Sequence, residues 1–174
     1  MKVLLVRHGE ARYDEVLRKG YPHQGYDLGK LSNRGIHQAE TVAMDPRFID
    51  ADIIISSPYT RALQTAAIIS RVTQIPLIVE NDLHEWMPDV DFTNSPHVTK
   101  SYEDYLKHRG KYTQKKIINW ETYRDLSKRA HEALQQYVGE YEKVIVVTHG
   151  ILMTTFTFFD DIIENCAIRE IDVL

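Results

Sequence analysis

Cysteine is almost absent: Cys166 stands alone in 174 residues, so no disulfide within the chain can staple it. No apolar run approaches the ~20 residues that a membrane-crossing helix needs. The opening MKVLLVRHGE holds four apolar residues between Lys2 and Arg7, too few for a secretion signal. Nor is there an excess of positive charge. Its 21 Lys and Arg against 25 Asp and Glu give a net charge of −4, which removes the usual footprint of a nucleic-acid binder. Repeats, low-complexity tracts and interdomain linkers are missing too. What is there, 43% hydrophobic and 26% charged residues, excludes intrinsic disorder. The length suits one domain of about 150 residues with a real core. The expectation is a single domain over residues 1–174, cytoplasmic, with neither membrane nor nucleic acid as a partner.

Three short runs read as strands: 2–6 (KVLLV), 52–55 (DIII) and 144–147 (VIVV). None alternates with polar residues, as expected of parallel strands buried on both faces between helices. A fourth run, 76–79 (PLIV), opens on a proline, which suits the first residue of a strand. A fifth, 167–173, mixes charge with Ile168, Ile171 and Val173 and suits an edge. Helical spacing fills the gaps. It places Ile36, Ala39, Ala43 and Met44 on one face of 33–44, and Ala62, Ala66, Ile69 and Val72 on one face of 57–72. Ser57-Pro58 reads as a cap followed by proline at the first helical position. The third helix, 122–141, carries Leu126, Ala130, Leu134 and Val138. The order predicts an α/β three-layer sandwich with a mostly parallel central sheet flanked by helices. Residues 81–121 lack clear periodicity and hold six aromatic residues. From 100 to 116 they carry Lys100, Lys107, Arg109, Lys111, Lys115 and Lys116 against Glu103 and Asp104. Such a segment is a cap or substrate-facing insertion, or a helical pair covering core.

Open α/β sheets bind ligands beyond the carboxyl ends of their strands. Those positions here are Arg7-His8-Gly9-Glu10, Ser56-Ser57-Pro58-Tyr59-Thr60-Arg61, Leu83-His84-Glu85-Trp86 and Thr148-His149-Gly150. Parallel strands would bring two histidines, two arginines and a glutamate to one edge. Arginine presents a planar fork matched to phosphate oxygens. A helix opened by Ser57-Pro58 would add backbone N–H groups there. Neutral imidazole is a competent nucleophile, and a partly protonated carboxyl can protonate a leaving alcohol. Taken singly these residues are ordinary. A histidine after a buried strand is commonly a hydrogen-bonded core residue, Arg61 alone would be an ion-pair residue, and Glu85 alone a surface group. Gly9 and Gly150 alone would be turn residues. Two His-Gly pairs after two apolar strands, with arginines beside one and after another, change that balance.

LVRHGEA resembles the Arg-His-Gly signature of the histidine phosphatase superfamily, which includes the cofactor-dependent phosphoglycerate mutases. The likeness extends to Leu31-Ser32-Asn33-Arg34-Gly35-Ile36-His37-Gln38-Ala39, to SSPYTRALQTA at 56–66, to Leu83-His84-Glu85-Trp86 and to VTHG at 147–150. Together these pieces stand in family order across nearly the whole chain. The resemblance implies a phosphoglycerate mutase-like fold and His8 as a nucleophile that becomes phosphorylated. It implies Arg7, Arg61 and a protonated His149 around the phosphate, and Glu85 as proton donor to the leaving group. No metal or cofactor is called for. His84-Glu85 does not continue into H-E-x-x-H, because Pro88 stands where the second histidine would be.

Two departures stand out. Asp14 occupies the place, six residues after the nucleophile, where many mutase-like members carry a phosphate-contacting asparagine. It is expected to point outward or to touch another part of the substrate. WMPDVDF replaces the family's G-E-W-E-G-like run after the acid. The expectation is a metal-independent phosphomonoesterase acting on a phosphorylated small molecule. The alternatives are a phosphoglycerate mutase-like phosphotransferase, a phosphohistidine or phosphoprotein phosphatase, and a non-catalytic phosphate-binding module. The chain ends soon after its last strand, and an open site favours water over transfer back to product. The basic stretch is either a dock for an acidic partner or a solvated face, and homodimerisation is left open.

Overall fold

The structure is a computed structural model and describes residues 1–21, 23–93, 95–112, 114 and 117–174. In chain order it places β1 (Lys2–Arg7), β2 (Ala11–Arg12), α1 (Asp14–Arg18), a 3₁₀ turn (His23–Leu28), β3 (Lys30–Leu31) and α2 (Asn33–Val42). A second 3₁₀ turn (Pro46–Phe48), β4 (Ile53–Ser56), α3 (Thr60–Thr73), β5 (Leu77–Val79) and a third 3₁₀ turn (Asn81–Leu83) follow. The rest is a fourth 3₁₀ turn (Pro96–Lys100), α4 (Ser101–Lys107), α5 (Tyr123–Gln135), β6 (Lys143–Thr148), α6 (Gly150–Thr154) and β7 (Ile168–Asp172). The main sheet runs β5-β4-β6-β1-β7, parallel except for β7, which pairs antiparallel with β1 at the edge. That is the mostly parallel sheet between helices that the apolar runs predict.

The reason is visible in the alternation of the strands. Val3, Leu5, Ile53, Ile55, Val144 and Val146 point to one face and pack with Ala133 and Leu134 of α5. Leu4, Val6, Ile54, Ile145 and Val147 point to the other and pack with Val42, Ala62, Ala66 and Ile69 of α2 and α3. Every strand residue in these two sets is buried, so each run must be apolar throughout. Edge strand β7 needs only one apolar face, and its charges pair instead: Arg169 with Asp161, Glu170 with Lys2.

The helices depart from the sequence expectation at their ends. α3 does not open at Ser57-Pro58. Tyr59 is extended at its N-terminus with no side-chain cap, and the first helical residue is Thr60. Ser57 lends its hydroxyl to His149 instead. α2 stops at Val42, so Met44 leaves the apolar face and is exposed, as Val72 is at the end of α3. α5 ends at Gln135, ahead of Val138 and a left-handed Gly139. A two-stranded ribbon, β2 with β3, carries no hydrophobic signal and was not anticipated.

The L-S-x-x-G-x-x-Q stretch earns its residue types here. Ser32 caps α2 through the Gly35 N–H, 3.0 Å. Gln38 accepts from the Glu10 N–H at 2.8 Å. A Cβ on Gly35 would lie 2.1 Å from the Glu10 carbonyl oxygen, and one on Gly9 2.5 Å from the Gly35 carbonyl oxygen. The loop after β1 therefore lies directly on the first turn of α2. Residues 81–121 bury Trp86, Tyr105 and Trp120 against Leu126 and Ala130 of α5 and Leu152 of α6. Within the basic stretch, Arg109 pairs with Asp160, while Lys115 and Lys116 lie outside the described residues. No helix among the described residues is long and apolar enough to cross a membrane.

Candidate active site

The residues expected at the strand ends meet at one edge of the sheet. β1 and β6 pair in parallel with Arg7 opposite Thr148, so the next residues, His8 and His149, stand side by side. Their ring centroids are 5.1 Å apart and the rings meet edge to face. The His8 Nδ1–H donates to the carbonyl of Gly9 at 2.7 Å, which leaves the lone pair on Nε2. That nitrogen accepts from Arg61 Nε at 3.1 Å. Burial first, then the Arg61 guanidinium, holds His8 down to about 3, so the ring is neutral at neutral pH.

His149 is fully buried. Its Nε2 shares a 2.7 Å hydrogen bond with Ser57 Oγ, which also accepts the Tyr59 N–H. Its Nδ1 is buried with no partner among the described residues. Burial and the neighbouring Arg61 push its affinity for a proton far down. The protonated His149 expected from the family likeness is therefore corrected to a neutral ring. Fixed positive charge at this edge comes from the arginines.

Arg61 lies in the first turn of α3, buried, with its guanidinium 5.2 Å from the Tyr59 ring centroid and 3.9 Å from Asp27. Arg7 closes β1. Its Nη1 donates to the Ile163 carbonyl at 2.6 Å, while its Nε is buried and unpartnered. A Cβ on Gly150 would make ordinary contact with that Nε at 3.4 Å, so this glycine lies directly against Arg7.

Glu85 follows the 3₁₀ turn after β5. Its Oε1 accepts from the Trp86 N–H at 2.8 Å and the Leu152 N–H at 3.0 Å, and its Oε2 from the Ile151 N–H at 3.2 Å. Burial raises its carboxyl above the usual range despite these donors. The loop is held from α5. Arg129 donates to the carbonyl of His84 at 2.9 Å and grips both carboxylate oxygens of Glu121 at 2.8 Å. Glu121 in turn accepts the Met87 N–H at 3.1 Å.

Asp14 is turned away from this edge. It is exposed and bonded to Arg12 at 2.6 and 2.7 Å, a pairing that holds its carboxyl at about 2. Asp27, which the sequence reading passed over, is close to the site instead. Burial lifts it to about 6, against the opposing pull of the Arg61 guanidinium. Arg129, Glu121 and Ser57 as a partner of His149 were also missed, because each acts across the fold and leaves no periodic signal.

The model for the histidine phosphatase superfamily (branch 1) matches residues 3–158. The chain belongs to that superfamily. Among its curated relatives, the Yersinia pestis protein named "Probable phosphoglycerate mutase GpmB" is 30% identical over 158 residues, covering 88% of this chain and 71% of the relative. The Escherichia fergusonii protein of the same name is 28% identical over 157 residues, with the same coverage. Among solved structures, the alpha-ribazole phosphatase of Shigella flexneri superposes with a TM-score of 0.71 at 21% identity, covering 100% of this chain and 91% of that one. A mycobacterial glucosyl-3-phosphoglycerate phosphatase gives 0.71 at 21%, with 99% and 98% covered. This histidine phosphatase fold thus includes neighbours named as phosphatases and relatives named as mutases.

Proposed function

We propose that the protein is a metal-independent phosphatase that hydrolyses phosphomonoesters through a phosphohistidine on His8. The observation that carries the reading is the His8 ring. It is neutral, with Nδ1–H fixed on its own Gly9 carbonyl and Nε2 presented beside Arg61. A phosphate dianion draws Arg61 towards itself and frees that lone pair. Nε2 attacks phosphorus, the P–O bond to the alcohol breaks, and the departing oxygen takes the Glu85 proton. Oε2, the less occupied carboxylate oxygen, is the one placed to hold it. Positive charge building on the ring is met by the Gly9 carbonyl. Water then attacks phosphorus, Glu85 accepts its proton, and His8 leaves as neutral imidazole. Arg7 and Arg61 bind the phosphoryl oxygens, and His149 Nδ1, without a partner among the described residues, supplies a further donor while Ser57 holds Nε2.

The test is p-nitrophenyl phosphate hydrolysis in excess EDTA, with wild type and His8→Ala side by side. Base-quenched wild type should also carry an acid-labile, base-stable phosphoryl group. Turnover retained in the variant would sink the phosphohistidine mechanism. The names of the curated relatives favour a second reading, phosphoryl transfer between positions of a phosphoglycerate. Release of inorganic phosphate from 3-phosphoglycerate, against its conversion to the isomer, separates the two.

A further inference from the structure

Two cavities meet at Glu85. One, about 230 Å³, lies toward Arg61 and Tyr59 and carries the carboxyl groups of Asp27 and Asp89. The other, about 350 Å³, reaches Arg7 and is walled by Tyr102, Tyr105, Phe159, Ile162 and Ile163. Among the described residues, Arg61 is the one Lys or Arg lining the first and Arg7 the one lining the second. Both are already committed to the transferred phosphoryl group. Lys100 and Lys107 line a separate cavity beside Trp120. The larger cavity also holds Asp161, but Arg169 occupies both of its carboxylate oxygens at 2.9 and 3.0 Å.

A substrate bearing a second phosphate or a carboxylate would bring that charge next to Glu85, to a wall with no further Lys or Arg among the described residues. Desolvating an unpaired anion there is unfavourable. An apolar body would instead be drawn out of water by two tyrosines, a phenylalanine and two isoleucines. Two side-chain atoms of this lining, Arg7 Nε and the Tyr105 hydroxyl, are buried with no partner among the described residues.

We propose that the leaving group of this phosphatase is an uncharged alcohol with an aromatic or branched apolar body, seated in the cavity between Tyr102, Tyr105, Phe159 and Ile162. The inference rests on Glu85 and Arg7 serving the phosphoryl group as described under Proposed function. It separates this chain from phosphoryl transfer on a phosphoglycerate, whose carboxylate finds no further Lys or Arg among the described residues of either cavity.

The experiment compares kcat/KM for 2-phenylethyl phosphate, ethyl phosphate and 3-phosphoglycerate, whose leaving alcohols all need a proton. The phenylethyl ester should exceed each of the others at least tenfold. Ile162→Lys, at an exposed position where folding is not at stake, should cut the phenylethyl-to-ethyl ratio at least threefold and raise kcat/KM for 3-phosphoglycerate. A ratio near one, or a wild-type preference for 3-phosphoglycerate, overturns the proposal while the phosphatase reading stands. No hydrolysis of any ester overturns that reading and this proposal with it.

Discussion

His8 and Glu85 face the same site but are held in opposite ways. His8 is placed by the register of two buried parallel strands and fixed by the carbonyl of the very next residue. Glu85 sits on a loop, and its carboxylate is anchored on N–H groups of Trp86 and of Ile151 and Leu152 in α6. Arg129 of α5 then clamps the carbonyls of that loop against Glu121. The histidine edge depends on the sheet, and the acid edge on backbone N–H groups of α6 and one side chain reaching across from α5. The two should therefore fail differently when perturbed.

The largest effect is expected from His8→Ala, which should lower kcat by about 10⁴-fold or more on every ester, since removing a nucleophile leaves only binding and charge stabilisation. Uniform loss across leaving groups is the signature of that edge. Glu85→Gln should break the uniformity. Alkyl phosphates should lose about 10²–10⁴-fold while aryl phosphates, whose leaving groups hardly need a proton, lose far less. Equal losses would show that Glu85 is structural. A smaller effect should come from Arg129→Met, roughly 10–100-fold and confined to alkyl phosphates, because the loop shifts while the histidines do not. Arg129→Lys should recover part of it. If both ester classes fall together, Arg129 acts only through folding. Circular dichroism on each variant separates that case, since breaking a buried pair costs about 3–5 kcal/mol of stability.

pH dependence sharpens the contrast. Glu85 must carry its proton to act, and burial raises its carboxyl, so alkyl-phosphate turnover should fall as pH rises through that elevated value. The histidines work the other way, on stability. His8 is neutral in the fold down to about 3, whereas an unfolded histidine takes up a proton near 6.5. Folding free energy should therefore be insensitive to His8 above about 6.5 and decline below it, by up to about 1.4 kcal/mol per pH unit. Urea unfolding at pH 7 and pH 5 should show a shallower decline in His8→Asn than in wild type. Identical slopes would show that the ring is not held neutral.

The same division marks how much could be read from the chain. KVLLV, III and VIVV announce a buried parallel sheet because both faces of each strand are covered, and strand ends then locate His8, Arg7, Arg61 and His149. The helix ends were harder, since Ser57-Pro58 reads as a cap until its hydroxyl is found on His149. Arg129 and Glu121 are charged residues on ordinary spacing, and only the fold shows that they meet the Glu85 loop. Asp27 sits in a 3₁₀ turn with no apolar pattern, and what sets it apart is its distance to Arg61.

The hydrogen bond from Arg61 to His8 Nε2 has one more consequence. The His8 Nε2 lone pair is sheathed by a cation of its own chain. A passing electrophile lacking negative charge has nothing with which to draw that cation aside. If His8 is the nucleophile proposed above, an anion that pairs with Arg61 would unsheathe it, so recognition and arming would become a single event. On the mechanism we propose, the imidazole would owe its selectivity for phosphate to a guard that its own target dismisses.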